Sequence, residues 1–112
     1  MTGLTSHVLD TMHGCPAVGM AVRLFVDGDL LSACVTDADG RCEALLLDAP
    51  LRPGRYRLEF GVGAYFAAKG LAPADPPFLD VVPVEFGVAN EEAHHHVPLF
   101  VSPYAYSTFR SS

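Results

Sequence analysis

Three consecutive histidines near the C-terminus, His94, His95 and His96, are the first candidates for chemistry in this 112-residue chain. They precede the apolar run "VPLFVS", which is typical of a β-strand. Successive strand residues point to opposite faces of a sheet, so His94 and His96 share one face and His95 lies on the other. The imidazole pKa lies close to neutral pH, and this suits a histidine to proton transfer or to metal binding.

A metal centre is one possible use of this histidine pair. His94 and His96 supply two ligands, whereas a protein metal site usually needs three or four donors held by further side chains. The other candidates, His7, His13 and the three cysteines, stand at none of the spacings that mark a metal site. The pattern therefore favours no metal ion, and we expect His94 and His95 to be solvated surface residues.

His96 differs because of the residues that follow it. If the alternate residues Val97 and Leu99 line the core, His96 faces outward. The same outward face then carries Phe100, and exposed apolar surface of this kind usually marks an interface. An imidazole in an intersubunit face suits acid–base catalysis near neutral pH, and it is equally compatible with a purely structural role. The residues alone leave both roles open.

Two further residues, His7 and Arg41, are candidates because of their type and neighbours. His7 lies in the strand-like segment "LTSHVLD", where its direction is open and a hydrogen-bonded core histidine is the competing interpretation. Arg41 follows the turn "DADG". Its fork of donors can clamp a carboxylate or a planar imide, although an arginine after a turn is more often solvated. The chain contains no nucleophile elbow, phosphate loop or dinucleotide fingerprint.

Short apolar or alternating runs separated by turn residues surround these candidates and predict an all-β domain. The predicted strands cover residues 4–10, 20–26, 30–36, 54–62, 78–88, 94–102 and 104–109, and the run 43–47 is ambiguous. The segment "GAYFAAKG" predicts one short helix that stops at Gly70, and "DGD" predicts a hairpin turn. Pro83 lacks an N–H, so its strand is expected at a sheet edge or with a bulge. Seven or eight strands and one helix, with no linker, indicate one β-sandwich domain over residues 1–112.

The composition argues against several classes of function. Half of the residues are apolar and 18% are charged, which is typical of a folded domain. The net charge of −6, with no cluster among the seven cations, argues against a nucleic-acid partner. No apolar stretch approaches the roughly 18 residues of a membrane span. Cys15, Cys34 and Cys42 form an odd set without paired spacing, so we expect free thiols. With no signal-peptide pattern, these features predict a cytoplasmic protein without a membrane partner.

Four segments together resemble the 5-hydroxyisourate hydrolases, also called transthyretin-like proteins. The segments are "LTSHVLDTMHGCPAVGMAVRL", "TDADGR", "GAYFAAKG" and "HHHVPLFVSPYAYSTFRSS". The resemblance implies a prealbumin-like sandwich of two four-stranded sheets with one short helix. It also implies a homotetramer, a dimer of dimers, with active sites in a channel where subunits meet. The implied reaction is hydrolytic ring opening of 5-hydroxyisourate in urate degradation, with no metal and no organic cofactor.

The same resemblance assigns residues to the implied site. His7 is the motif histidine of "HVLD", Arg41 is the turn arginine, and His96 is the strand histidine directly before "VP". The two imidazoles would position and deprotonate water and return a proton to the departing nitrogen. Arg41 would hold the substrate and stabilise negative charge on its oxygens.

The C-terminus departs from the family pattern. The family usually ends Tyr-Arg-Gly-Ser, whereas this chain ends Phe109-Arg110-Ser111-Ser112. Phe109 occupies the position of a substrate-pocket tyrosine and lacks its hydroxyl, while Arg110 is kept as a substrate-binding candidate. The missing hydroxyl makes a non-catalytic ligand-binding protein the alternative. Retention of His7, Arg41 and His96, which transthyretins lack as a set, favours the enzyme.

Overall fold

The computed structural model describes residues 3–42, 51–71 and 74–110. In chain order the elements are β1 (Gly3–Asp10), β2 (Cys15–Pro16), β3 (Ala21–Val26), β4 (Asp29–Val35), β5 (Arg41–Cys42), β6 (Gly54–Gly61), α1 (Val62–Ala68), β7 (Val81–Val88), β8 (His94–Val101) and β9 (Tyr106–Thr108). Strands β2 and β5 both pair with β1, which is followed by β8 and β9 in the first sheet. The second sheet has the order β4, β3, β6, β7. The predicted two-sheet sandwich with one short helix is confirmed, but the first sheet has five strands where four were expected, because the short strands β2 and β5 both pair with β1.

The core forms where alternate residues of both sheets face each other. In the second sheet Leu24 and Leu58 are opposite one another on β3 and β6, and both are fully buried. Val8 of β1 and Leu99 of β8 occupy the matching position in the first sheet and are equally buried. Burial of one such side chain stabilises the fold by about 1.5–3 kcal/mol. The alternation therefore determines which face of each strand packs in the core and which face points outward, where a functional site can form.

Local signals predicted several connections correctly. Asp27 and Gly28 have φ values of 51° and 82°, the signature of the tight hairpin turn expected between β3 and β4. Helix α1 ends before Gly70, which takes a φ of 82°, as expected for a helix stop. Pro83 lies in β7, an edge strand of its sheet. The ambiguous run 43–47 lies outside the described residues.

The expectation of three free thiols is wrong. Cys34 and Cys42 form a disulfide, and only Cys15 is a free cysteine among the described residues. The turn between β4 and β5 folds the chain back, so the two Cα atoms lie 6.5 Å apart, within the range that a disulfide spans. The bond links the edge strand of the second sheet to β5 of the first. A separation of eight residues carries no sequence signal for this pairing.

The first and last long strands of the chain are neighbours. Strands β1 and β8 pair in parallel over eight residues, from Gly3 opposite His94 to Asp10 opposite Val101. Strand β9 then returns antiparallel to β8, which confirms that the strand predicted within residues 104–109 is part of the sheet. This pairing brings the two segments with candidate histidines together.

The last residue of β1, Asp10, has a buried carboxylate. Asp10 is 1% exposed, and its Oδ2 accepts a hydrogen bond from the Tyr65 hydroxyl at 2.7 Å and lies 2.6 Å from His13 Nδ1. The His13 backbone N–H donates to Oδ1 at 2.9 Å. Burial by itself raises the pKa of Asp10, but the hydrogen bonds from His13 and Tyr65 outweigh it and lower that pKa below its ordinary value of 3.8.

This lowered pKa predicts a pH dependence of stability. The ionised Asp10 stabilises the fold above pH 3.8, and the stabilisation is lost as pH falls through the lower folded-state pKa. Asp10→Asn is therefore expected to reduce the free energy of unfolding by about 1–3 kcal/mol at pH 7, with a smaller difference from wild type near pH 3. Denaturant unfolding at fixed protein concentration measures both quantities. The exposed Asp29→Asn is the control, and equal losses for the two variants at every pH would contradict the prediction.

Candidate active site

Three predicted site residues lie on the outer face of the first sheet. Residues of β1 alternate, with Ser6 and Val8 buried and His7 partly exposed, so His7 points away from the core. His7 is the ladder partner of Arg41 on β5, and Thr5 is the ladder partner of His96 on β8. Ladder partners share a face, and neighbouring strands lie about 5 Å apart. The sheet therefore brings His7, Arg41 and His96 together on three adjacent strands.

The Thr5 hydroxyl lies between two histidines of this face. Thr5 Oγ1 is 2.8 Å from His96 Nδ1 and 3.0 Å from His94 Nε2. His94 was expected to be a solvated residue, but it is partly buried and bonded to Thr5. Sequence reasoning missed Thr5 because its contacts depend on a pairing between residues about ninety positions apart. The only local signal is its place two residues before His7, on the same strand face.

The expectation that His95 is a surface residue is wrong. It is 5% exposed, because it lies on the inner face of β8 together with Val97 and Leu99. Its Nδ1 is buried without a hydrogen-bond partner among the described residues. Burial lowers the pKa of His95, and the nearby Arg110 guanidinium lowers it further. His95 is therefore held neutral, on the opposite side of the sheet from His96.

The turn before Arg41 is held by a carboxylate. Asp37 Oδ1 accepts hydrogen bonds from the backbone N–H of Arg41 at 3.0 Å and of Asp39 at 2.9 Å. These two bonds, with the charges of Arg41 and His7, lower the pKa of Asp37. Gly40 has a φ of 75°, and a Cβ there would lie 2.5 Å from the Val8 carbonyl oxygen. The turn therefore requires glycine and sets Arg41 firmly beside β1.

Phe109 and Arg110 directly follow Thr108, the last residue of β9. The Phe109 ring lies 5.8 Å from the ring of Phe100, which belongs to the same outer strand face as His96. Phe109 is 52% exposed, so a hydrophobic surface extends from the candidate site to the sheet edge. Phe109 also lines a cavity of about 310 Å³ together with Arg110 and His95. Phe109 therefore contacts Phe100 on the outer face and also borders the cavity of Arg110 and His95, and the substrate contacts of Phe109 and Arg110 stay predictions.

Two further properties concern metals and membranes. Within residues 3–42, 51–71 and 74–110, no three His, Cys, Asp or Glu side chains converge in a way that could hold a metal ion. His94 Nε2 and His96 Nδ1 both face the Thr5 hydroxyl. In the same part of the chain no helix has the length and apolar character needed to span a bilayer.

Comparison with known proteins gives one consistent family. The sequence matches the HIUase/Transthyretin family over residues 4–111. It is 52% identical to the 5-hydroxyisourate hydrolase of Caulobacter vibrioides, with 100% of both chains covered. The solved Klebsiella pneumoniae 5-hydroxyisourate hydrolase superposes with a TM-score of 0.87 at 36% identity, covering 100% of both chains. Sea bream transthyretin in complex with thyroxine gives a TM-score of 0.83 at 30% identity, covering 96% of this chain and 93% of its own. This chain belongs to the HIUase/Transthyretin family.

Proposed function

We propose that this protein is a hydrolase that opens the ring of 5-hydroxyisourate in urate degradation. The observation that carries the proposal is the placement of His7, Arg41 and His96 on one outer face by three adjacent strands. Two imidazoles and one guanidinium at a partly apolar surface are suited to activating water and to binding a planar, electron-rich imide. Full-length similarity to enzymes with the name 5-hydroxyisourate hydrolase supports the same assignment.

The reaction adds one water molecule across a ring C–N bond. The imidazoles of His7 and His96 orient the water, and one of them accepts a proton as the oxygen attacks the ring carbonyl. The C–N bond then breaks and this proton passes to the departing nitrogen. The carbonyl carbon becomes a carboxylic acid, which releases the second proton of the water to solvent and so becomes a carboxylate. Arg41 donates hydrogen bonds to the oxygens on which negative charge develops, a contribution of up to several kcal/mol in a dry site.

The direct test is the decay of freshly prepared 5-hydroxyisourate, followed by ultraviolet absorbance. The rate with protein, after subtraction of the spontaneous rate, is expected to rise in proportion to protein concentration. Absence of any acceleration across the concentration range would refute the proposed activity.

A non-catalytic ligand carrier is the second candidate function. Phe109 in place of the usual tyrosine favours it, and so does the superposition on a transthyretin in complex with thyroxine. Calorimetry with an aromatic ligand separates the two functions, because a carrier binds the ligand tightly and does not turn over 5-hydroxyisourate. The retained histidines and arginine favour the enzyme.

Phe109→Tyr tests whether the missing hydroxyl weakens the enzyme. A hydroxyl that bonds the substrate or the attacking water is worth about 1–3 kcal/mol, so kcat/KM is expected to rise about 10–100-fold over wild type. The matched control is Phe78→Tyr, which adds the same hydroxyl to a ring that lines a different cavity, next to α1. An unchanged kcat/KM for Phe109→Tyr would mean that no such contact is made at this position.

We propose that the protein is a homotetramer, a dimer of dimers, with the outer face of the first sheet turned toward another subunit. Phe109 is half exposed on this side, and Phe100 and His7 are only partly buried in a single chain, so the face is suited to an interface. Sedimentation equilibrium is expected to give the mass of four 12.0 kDa chains. The mass of a single chain at assay concentrations would contradict the assembly.

A cytoplasmic location stays a prediction. The Cys34–Cys42 disulfide is a feature more typical of oxidising compartments than of the cytoplasm.

A further inference from the structure

The proposed reaction makes no use of the contacts of Thr5. Its Oγ1 approaches two imidazole nitrogens, His96 Nδ1 at 2.8 Å and His94 Nε2 at 3.0 Å. The parallel ladder places Thr5 opposite His96 and Gly3 opposite His94, so the hydroxyl lies between the two rings on the outer face. The backbone thus holds three polar side chains in one row.

A count of protons restricts how these groups can bond. A threonine hydroxyl has one proton and can donate to only one of the two rings. If both rings donated to Oγ1, the hydroxyl proton would lack an acceptor among the side-chain contacts that the described residues provide for Thr5. One ring therefore donates to Oγ1 and the other accepts from it, when both histidines are neutral.

The surroundings of His94 decide between these two arrangements. Its Nδ1 is buried and has no hydrogen-bond partner among the described residues. If His94 Nε2 accepted from Thr5, the ring proton would sit on Nδ1 as a buried donor without an acceptor, a rare and costly state. With the proton on Nε2, His94 donates to Thr5 Oγ1 and only a lone pair is left unsatisfied. The Thr5 hydroxyl then donates to His96 Nδ1.

We propose that Thr5 is a positioning residue that fixes the ring of His96 and holds its proton on Nε2. This inference rests on the proposed function for its consequence in the reaction. His96 then presents an N–H donor, which supports the developing negative charge on the substrate oxygen beside Arg41. His7 is left to accept the proton from water and to pass it to the departing nitrogen. The proton count balances, since His7 gains one proton and loses it within one turnover.

The test compares the wild type with Thr5→Val, which keeps the shape but lacks the hydroxyl, and with Thr5→Ser, which keeps the hydroxyl. The first readout is ¹⁵N NMR of the His96 ring at pH 8, without substrate. Wild type and Thr5→Ser are expected to show protonated Nε2 and unprotonated Nδ1, whereas Thr5→Val is expected to lose this preference. Circular dichroism shows whether each variant is folded. If Thr5→Val does not fold, the protonation of the His96 ring in wild type and in Thr5→Ser still tests the proposal.

The second readout is steady-state kinetics with 5-hydroxyisourate. Thr5→Val is expected to lower kcat about tenfold with KM within about twofold, and Thr5→Ser to recover most of the loss. A His96 protonated on Nδ1 in the wild type, or a Thr5→Val variant with unchanged spectrum and kcat, would overturn the proposal. Because the NMR readout needs no substrate, a wild type without hydrolase activity would refute the proposed function and leave the assignment of Thr5 to be judged by the spectra.

Discussion

His96→Ala is expected to remove most of the catalysed hydrolysis of 5-hydroxyisourate, with kcat/KM lower by about 10²–10⁴-fold. The imidazole lies on the outer face of β8, and Thr5 holds its Nδ1 at 2.8 Å. Alanine removes the group that orients water or substrate and leaves a gap that bulk water can fill. Rates corrected for spontaneous decay, measured over a range of substrate concentrations, give kcat and KM separately.

The matched control for this variant is another histidine outside the outer face. His13→Gln removes an imidazole that contacts Asp10 and not the candidate site. Its kcat/KM is expected to stay within about twofold of wild type, and melting temperatures show whether either variant is merely unfolded. A folded His96→Ala variant with wild-type kinetics would exclude His96 from the reaction.

Arg41→Lys is expected to lower kcat/KM by about 10²–10³-fold, although the positive charge is retained. The planar guanidinium donates in a fixed fork, whereas the ammonium of lysine is a flexible point charge that does not match two oxygens at once. The Asp37 carboxylate and the Gly40 turn hold Arg41 opposite His7, so the substitution changes the donor group and leaves the backbone in place. The loss is expected mainly in kcat, since charge on the oxygens develops in the transition state.

The control is Arg23→Lys, a change of the same kind at an exposed position of β3 in the second sheet. It is expected to leave both kinetic constants unchanged. If a folded Arg41→Lys variant had the same kcat and KM as Arg23→Lys, Arg41 would have no part in transition-state stabilisation. The histidines alone would then be left as candidate catalytic residues.

The surroundings of His94 and His95 and the pairing of the cysteines depend on packing, and the sequence predicted them wrongly. His94 and His95 were both expected in solvent, since polar residues usually are. The strand alternation correctly placed them on opposite faces, but one face was covered by the second sheet and the other carried Thr5. The Cys34–Cys42 disulfide was missed for the same reason, because their proximity comes from the fold of the chain between β4 and β5.

Local chemistry in the sequence by itself determined much of this protein. Alternation identified the buried face of β6 and the outward direction of His96, and turn residues predicted the hairpin at Gly28. Pro83 indicated an edge strand or a bulge, because a residue without an N–H cannot donate to a neighbouring strand, and β7 is an edge strand. Each of these features depends on residues close together in the chain, because strand alternation, turn conformation and the missing N–H of proline are local properties.

Only the tertiary structure decided the geometry of the candidate site. The position of His7 opposite Arg41 requires β5 and β1 to be neighbours, and the bridge from Thr5 to His94 and His96 requires β1 and β8 to be neighbours. Parallel pairing of the first and last long strands joins residues about ninety positions apart, and no periodicity in the sequence encodes such a pairing. The pairing is selected by the burial of two complete sheets against each other, which is a property of the whole chain.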